Sequence, residues 1–178
     1  MSVCIVSFSS HKDGNCAHIG DFVNSMYPNA KRFYFSEIKL NACGDCSYQC
    51  FVNGNKCPFA NDKEMEILDA ITNSQLTFFI VPNYCDYPCS NYFVFNERSL
   101  CYFQNNESLL NRYLNVSKKF IVVSNTNKDN FKTAFAYQTN GKPQILFLSS
   151  KKYGKKSIDG DLLSSKEAIE ELKKFLID

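Results

Sequence analysis

A three-layer α/β sandwich around a parallel sheet is the fold that this sequence predicts, and three observations predict it. Five short apolar stretches read as strands: "VCIVSF" from Val3, a weaker "AKRFYFS" from Ala30, "LTFFIVP" from Leu76, "KKFIVVS" from Lys118 and "QILFLSS" from Gln144. The stronger runs are continuous rather than alternating, as expected of strands covered on both faces. Helical patterns separate them, so strand and helix alternate along the chain. A length of 178 residues suits one domain able to bury a sizeable core. No repeat, low-complexity tract or linker divides it, and residues 1–178 read as a single domain with a cysteine-rich loop at 43–57.

Each element follows in order. The first strand leads into "SFSSHKDGNCAHIGDFV", a polar loop with Gly14 that opens a helix carrying Ile19, Phe22, Val23 and Met26 at helical spacing. Free backbone N–H groups, the hydroxyls of Ser9 and Ser10 and the positive end of the helix dipole make such a loop an anion site. It is neither G-x-G-x-x-G nor a Walker loop, so a Rossmann NAD site and nucleotide hydrolysis lack a motif. After the second strand comes "ACGDCSYQCFVNGNKCP", with Cys43, Cys46, Cys50 and Cys57 at C-x2-C-x3-C-x6-C. Four thiolates suit an iron–sulfur cluster or tetrahedral zinc, and plain thiols or a redox disulfide stand beside them as readings that spacing leaves open.

The helix that follows, with Met65, Leu68 and Ile71 on one face, has Asn61 and Glu64 at capping spacing. The third strand runs into "PNYCDYPCSNYFVFNER", and Leu109, Leu110, Tyr113 and Leu114 mark a further helix. The stretch "NTNKDNFKTAFAYQTNGKP" reads as a short helix with Phe131, Ala134 and Phe135 inward, because joining parallel strands takes a crossover of about a dozen residues or more; a hairpin at Asn140-Gly141 is the other reading. The closing segment places Ser164 three before Glu167, a capping-box spacing, and puts Ile169, Leu172, Phe175 and Leu176 on one helix face.

Composition excludes several classes. Nine cysteines, an odd number, in a chain without a charged and apolar leader point to a reducing cytoplasm rather than a disulfide framework. No apolar run approaches the roughly 18 residues of a membrane span. The formal charge of +2 carries no basic stripe, "KKYGKK" reads as a solvated loop, and nucleic acid is not expected as a partner. His11 and His18 are the only histidines, no Ser-His-Asp or Cys-His arrangement follows from spacing, and no catalytic acid or base is expected.

The first loop resembles the phosphate loop of the flavodoxin-like NAD(P)H-dependent FMN reductases, commonly G-S-P-R-x-x-G-N-T. Here it reads "FSSHKDGNC", with Ser9, Gly14 and Asn15 matching and Phe8, Ser10, His11 and Cys16 in place of Gly, Pro, Arg and Thr. The loop after the third strand is similar to the family's P-x-Y segment and the helix ending F-x-D-R: Pro82, Tyr84, Phe95 and Arg98 match, Glu97 replaces Asp, Cys89 stands where Ser is usual and Phe93 where Lys is usual. The resemblance spans nearly the whole chain. It implies a flavodoxin-like sandwich with a five-stranded parallel sheet in the order 2-1-3-4-5, and ligands in the crevice beside strands one and three.

It further implies FMN, with NAD(P)H as co-substrate. Ser9, His11, Gly14, Asn15 and Cys16 would cradle the phosphate, Pro82, Asn83, Tyr84 and Cys85 would border the ring, and Ser124, Asn125 and Thr126 would form a second wall. Dimers or tetramers are implied, with a small-molecule or redox-protein electron acceptor. The cysteine loop is similar to one that ligates a [4Fe–4S] centre in the iron–sulfur flavoprotein branch, which makes an electron-transfer protein the close alternative. A flavodoxin-like binding module without cofactor is the rival, favoured by Phe8, His11 and Cys16.

Overall fold

The computed structural model of the protein describes residues 1–44, 46–53, 57–104, 106–123 and 128–178. Its main strands are β1 (Val3–Ser7), β2 (Lys31–Tyr34), β3 (Leu76–Tyr84), β5 (Ser117–Val123) and β6 (Gln144–Leu148), with a two-residue strand β4 (Tyr87–Pro88) folded back on β3. Parallel pairing runs β2-β1-β3-β5-β6. Since β4 only extends β3 as an antiparallel hairpin, the five main strands taken in chain order stand 2-1-3-4-5, as expected.

Both faces of the sheet are covered, and the side chains alternate between two cores. Cys4, Val6, Phe79, Val81, Phe120 and Val122 face one core, built with α3 (Glu64–Thr72), α4 (Ser90–Phe103), α5 (Glu107–Asn115) and α6 (Asp129–Ala136). Val3, Ile5, Phe78, Ile80, Ile121 and Val123 face the other, built with α1 (Asn15–Met26) and α7 (Lys166–Ile177), while the short α2 (Gln49–Asn53) lies in the cysteine-rich segment. A period of two with burial on both sides yields the continuous apolar runs seen in the sequence. The crossover between β5 and β6 is the helix α6, with Phe131 and Phe135 buried.

Two capping expectations are displaced. Ser165, not Ser164, caps α7, its hydroxyl accepting from the Ala168 amide. At α3 the cap position is Lys63, and the Asp62 carboxylate, rather than Asn61, accepts from the Glu64 amide at 3.2 Å. In both cases a residue one step along reached the amide first, which spacing alone does not decide.

Asp62 is committed to a buried ion pair. Arg98 of α4 donates to both its oxygens, at 2.6 and 3.2 Å, and to the carbonyls of Asn41 at 2.9 Å and Phe59 at 3.3 Å. One guanidinium thus ties both ends of the cysteine-rich segment to the sandwich. A bidentate pair whose two terminal nitrogens also reach carbonyls is the geometry in which a buried charge is tolerated, although Nε–H is buried without a partner among the described residues. Glu64 lies beside it with no exposure, accepting from the Ser99 hydroxyl at 2.7 Å through one oxygen only.

Burial pushes the Glu64 carboxyl up to about 8, against the lowering effects of Ser99 and Arg98. The folded chain therefore holds a proton that the unfolded chain releases near 4.5, and stability falls as the pH rises through that window, with a slope of at most about 1.4 kcal/mol per unit. Glu64→Gln keeps the acceptor and removes the titration. Urea unfolding from pH 5 to 9 should show the slope in the parent and a flatter profile in the variant.

Candidate functional site

The carboxyl ends of β1, β3 and β5 open into one cavity of about 390 Å3, within the roughly 300–1,000 Å3 usual for cofactor sites. A larger depression of about 740 Å3, bounded by Ser74, Gln75, Asn111 and Ser117, lies at the amino ends of β3 and β5, the opposite end of the sheet, where neither matched loop reaches.

The first loop leaves the sheet after Phe8, whose amide still bonds to the Ile80 carbonyl at 3.0 Å. The Phe8 ring points down, not into the cavity. It is fully buried among Phe35, Phe79, Tyr92 and Phe95, with ring centroids 5.1 to 5.7 Å away. Ser9 is nearly buried and its hydroxyl accepts from the His11 amide at 3.2 Å. Gly14 then starts α1 with no side-chain cap, and its carbonyl accepts from Ala17 and His18. The amides ahead of Ala17 have no partner within the helix, so Asn15 and Cys16 offer donors at the positive end of α1.

The second loop is joined to the first by hydrogen bonds. The Phe8 carbonyl accepts from the Cys89 thiol at 3.3 Å and from the Asn91 amide group at 2.9 Å, and Asn91 also donates to the Ser10 hydroxyl at 2.9 Å. A thiol thus donates where the resembling sequences have a hydroxyl. Burial pushes this Cys89 thiol up to about 11, opposed by nearby amides, so it keeps the proton it donates.

Ser9, His11, Gly14, Asn15, Cys16, Pro82, Asn83 and Tyr84 all line the cavity. Cys85 does not: the chain reverses there, leaving it exposed. Ser124, Asn125 and Thr126 lie outside the described residues, although Val123 before them is part of the wall. The Cys16 thiol belongs to the α1-side core, where burial first and then Cys89 hold it far above the ordinary thiol range. His18 is exposed and its Nδ1 lies 2.8 Å from the Gly160 carbonyl. Sequence reasoning missed Lys12, Asp13, Ser157 and Ile158, which complete the lining. Lys12 could have been found, since it sits inside the loop itself. Ser157 and Ile158 gave no local signal, because they arrive from the far end of the chain.

The cysteine loop brings its thiols near one another and near a cysteine of α4, with Cys50 common to both sets of neighbours. Cys43 lies near Cys46 and Cys50, while Cys101 of α4, not singled out from the sequence, lies near Cys50 and Cys57. Among the described residues no three His, Cys, Asp or Glu side chains converge as the ligands of an ion. The cluster or zinc expected on Cys43, Cys46, Cys50 and Cys57 therefore gains no support from the described residues. Nor is any helix among the described residues long and apolar enough to cross a membrane.

The chain matches no family model and no curated protein. Among solved structures it is similar to the Trp repressor binding protein of Bacillus subtilis, at 12% identity and TM-score 0.66 over 98% of this chain and 97% of that one. It is likewise similar to an FMN-dependent NADH-azoreductase from Bacillus anthracis, solved in complex with FMN, at 10% identity and TM-score 0.66 over 99% and 98%. A third is a flavoenzyme NAD(P)H:(acceptor) oxidoreductase from Paracoccus denitrificans, at 11% identity and TM-score 0.56 over 99% and 95%. At such identities the likeness establishes the fold, which is the flavodoxin-like sandwich.

The hairpin at the cavity's rim carries backbone strain. Asn83 pairs with Pro88 and Tyr84 with Tyr87, so Cys85 and Asp86 form a two-residue turn, both left-handed at φ 52° and 68°. This is the turn that suits the strand twist but favours glycine and asparagine. Asn130 of α6 holds it from outside, donating to the Asp86 carbonyl at 3.0 Å. A non-glycine residue in this region costs about 1–2 kcal/mol, against about 0.5–1 kcal/mol for the extra chain entropy of glycine. Cys85→Gly should therefore raise stability by about 0.5–1 kcal/mol, read as a higher urea midpoint.

Proposed function

We propose that this protein binds FMN in the cavity between the two loops and acts as an NAD(P)H-dependent oxidoreductase. The observation that carries the reading is the convergence of both loops on one cavity at the carboxyl ends of β1 and β3, joined through the Phe8 carbonyl by Cys89 and Asn91. That crevice is where open α/β sheets take their ligands. The neighbouring folds supply further support, since one is FMN-dependent and solved with FMN and another is a flavoenzyme using NAD(P)H.

In this reading Ser9 and the amides of Asn15 and Cys16 hold the phosphate, with His11 and Lys12 at the rim. Pro82, Asn83 and Tyr84 border the flavin ring, with Val123 on the facing side. Bound FMN would supply reversible two-electron chemistry, taking hydride from NAD(P)H and passing electrons to a small-molecule or redox-protein acceptor. The side chains bind, orient and exclude water, and none is asked to move a proton. The Phe8 ring and the Cys16 thiol leave the cavity open, which favours this reading over a module without cofactor. The protein would work in the cytoplasm as a dimer or tetramer, with a second copy covering the exposed ring edge beside Tyr84.

The test is the absorption spectrum of the purified protein before and after FMN is added, followed by NADH and NADPH oxidation. Oxidised-flavin bands and turnover are expected; a colourless protein that takes up no added FMN overturns the reading. Lys12→Ala should weaken FMN about tenfold, the worth of one charge-assisted hydrogen bond, and leave riboflavin, which lacks the phosphate, unchanged by fluorescence titration.

A further inference from the structure

The segment between β6 and α7 crosses the molecule to the start of α1 and is fastened there. Asn15 is buried, and its carboxamide makes two hydrogen bonds to residues 142 and 147 positions away: Nδ2 donates to the Ser157 carbonyl at 2.9 Å, and Oδ1 accepts from the Leu162 amide at 2.9 Å. His18, one turn along α1, lies 2.8 Å from the Gly160 carbonyl. Gly160 is left-handed at φ 70°, and a Cβ there would stand 2.8 Å from the Asp13 carbonyl oxygen. Lys155 and Asp161 close the segment on itself at 2.8 Å. Between these fastenings Ser157 and Ile158 line the cavity, although Ile158 is 86% exposed to solvent.

A side chain spent on both ends of its amide has little left for a ligand. Asn15 can offer an anion its backbone N–H, whereas its carboxamide is engaged by the strap. The strap meets the loop at Asp13 and Asn15, so it bounds the end of the cavity where an anion would sit. We propose that residues 155–164 are a third wall of the cofactor site, held by Asn15 as a positioning residue, and that this wall selects a terminal phosphate monoester over a diphosphate. The inference rests on the FMN reading above. A flavin mononucleotide ends where the strap closes the site; the adenylate half of FAD would have to pass through Ser157 and Ile158.

The experiment compares the parent with Asn15→Leu, which removes both bonds, and Gly160→Ala, which pushes the strap off the Asp13 carbonyl and leaves Asn15 intact. FMN, FAD, riboflavin and inorganic phosphate are titrated against each, and limited trypsin digestion reports cleavage after Lys155 and Lys156. Both variants should be cut about tenfold faster and should lose about tenfold in FMN and phosphate affinity. Riboflavin affinity should hold, and the preference for FMN over FAD should narrow. Loss of general stability would weaken riboflavin, FMN and FAD together, and that outcome overturns the wall. Faster cleavage with unchanged FMN and phosphate affinity overturns it too, while unchanged cleavage overturns the role of Asn15. If the parent binds neither FMN nor phosphate, the function reading fails, and the cleavage rates still decide whether Asn15 holds the strap.

Discussion

The site depends on the carbonyl of Phe8. Phe8 directly follows β1 and opens the first loop, and its oxygen collects the Cys89 thiol and the Asn91 amide group from the start of α4. Those two bonds set the second loop against the first. Below them the Phe8 ring sits edge-on or tilted against four other rings, so the backbone atom that organises the site is anchored in an aromatic part of the core. Parallel strands sealed on both faces offer a ligand only their ends, and this bond network makes one such end a cavity.

A second constraint holds the other half of the molecule. The Arg98–Asp62 pair is almost fully removed from water, and burying it would be costly were the guanidinium not also donating to two carbonyls of the segment it restrains. Burial works to raise the Asp62 carboxyl, yet the hydrogen bonds from Arg98, Glu64 and Asn41 and the charge of Arg98 hold it below the ordinary range. Glu64, two residues along, buried and short of a second donor, goes the other way. Two carboxyls two residues apart are thus shifted in opposite directions, because Arg98 pairs directly with Asp62 while burial outweighs Ser99 and Arg98 at Glu64.

The strands, their parallel order, the crossover helix α6 and the first loop were legible in the sequence, because each is written in local periodicity or in a contiguous motif. Most of the expected loop residues meet in one cavity, and Phe8, a departure that favoured a module without cofactor, proves to be core. What was not legible is non-local. The exact caps of α3 and α7 turned on which of two adjacent side chains reaches an amide. Cys101 lies near Cys50 and Cys57 from a separate element, which the spacing of the loop cysteines does not show.

Chain pattern by itself determined that strands alternate with helices, that both faces of the sheet are covered, and that a polar loop with Gly14 opens the first helix; hydrophobic period and turn chemistry act over a few residues and need no partner. Tertiary structure alone decided that Asn15 spends its carboxamide on a strap more than a hundred residues away, that Ser157 joins the cavity, and that Cys85 turns outward. Those outcomes depend on which groups meet once the sheet has closed, and a hydrogen bond between distant residues leaves no periodicity to read.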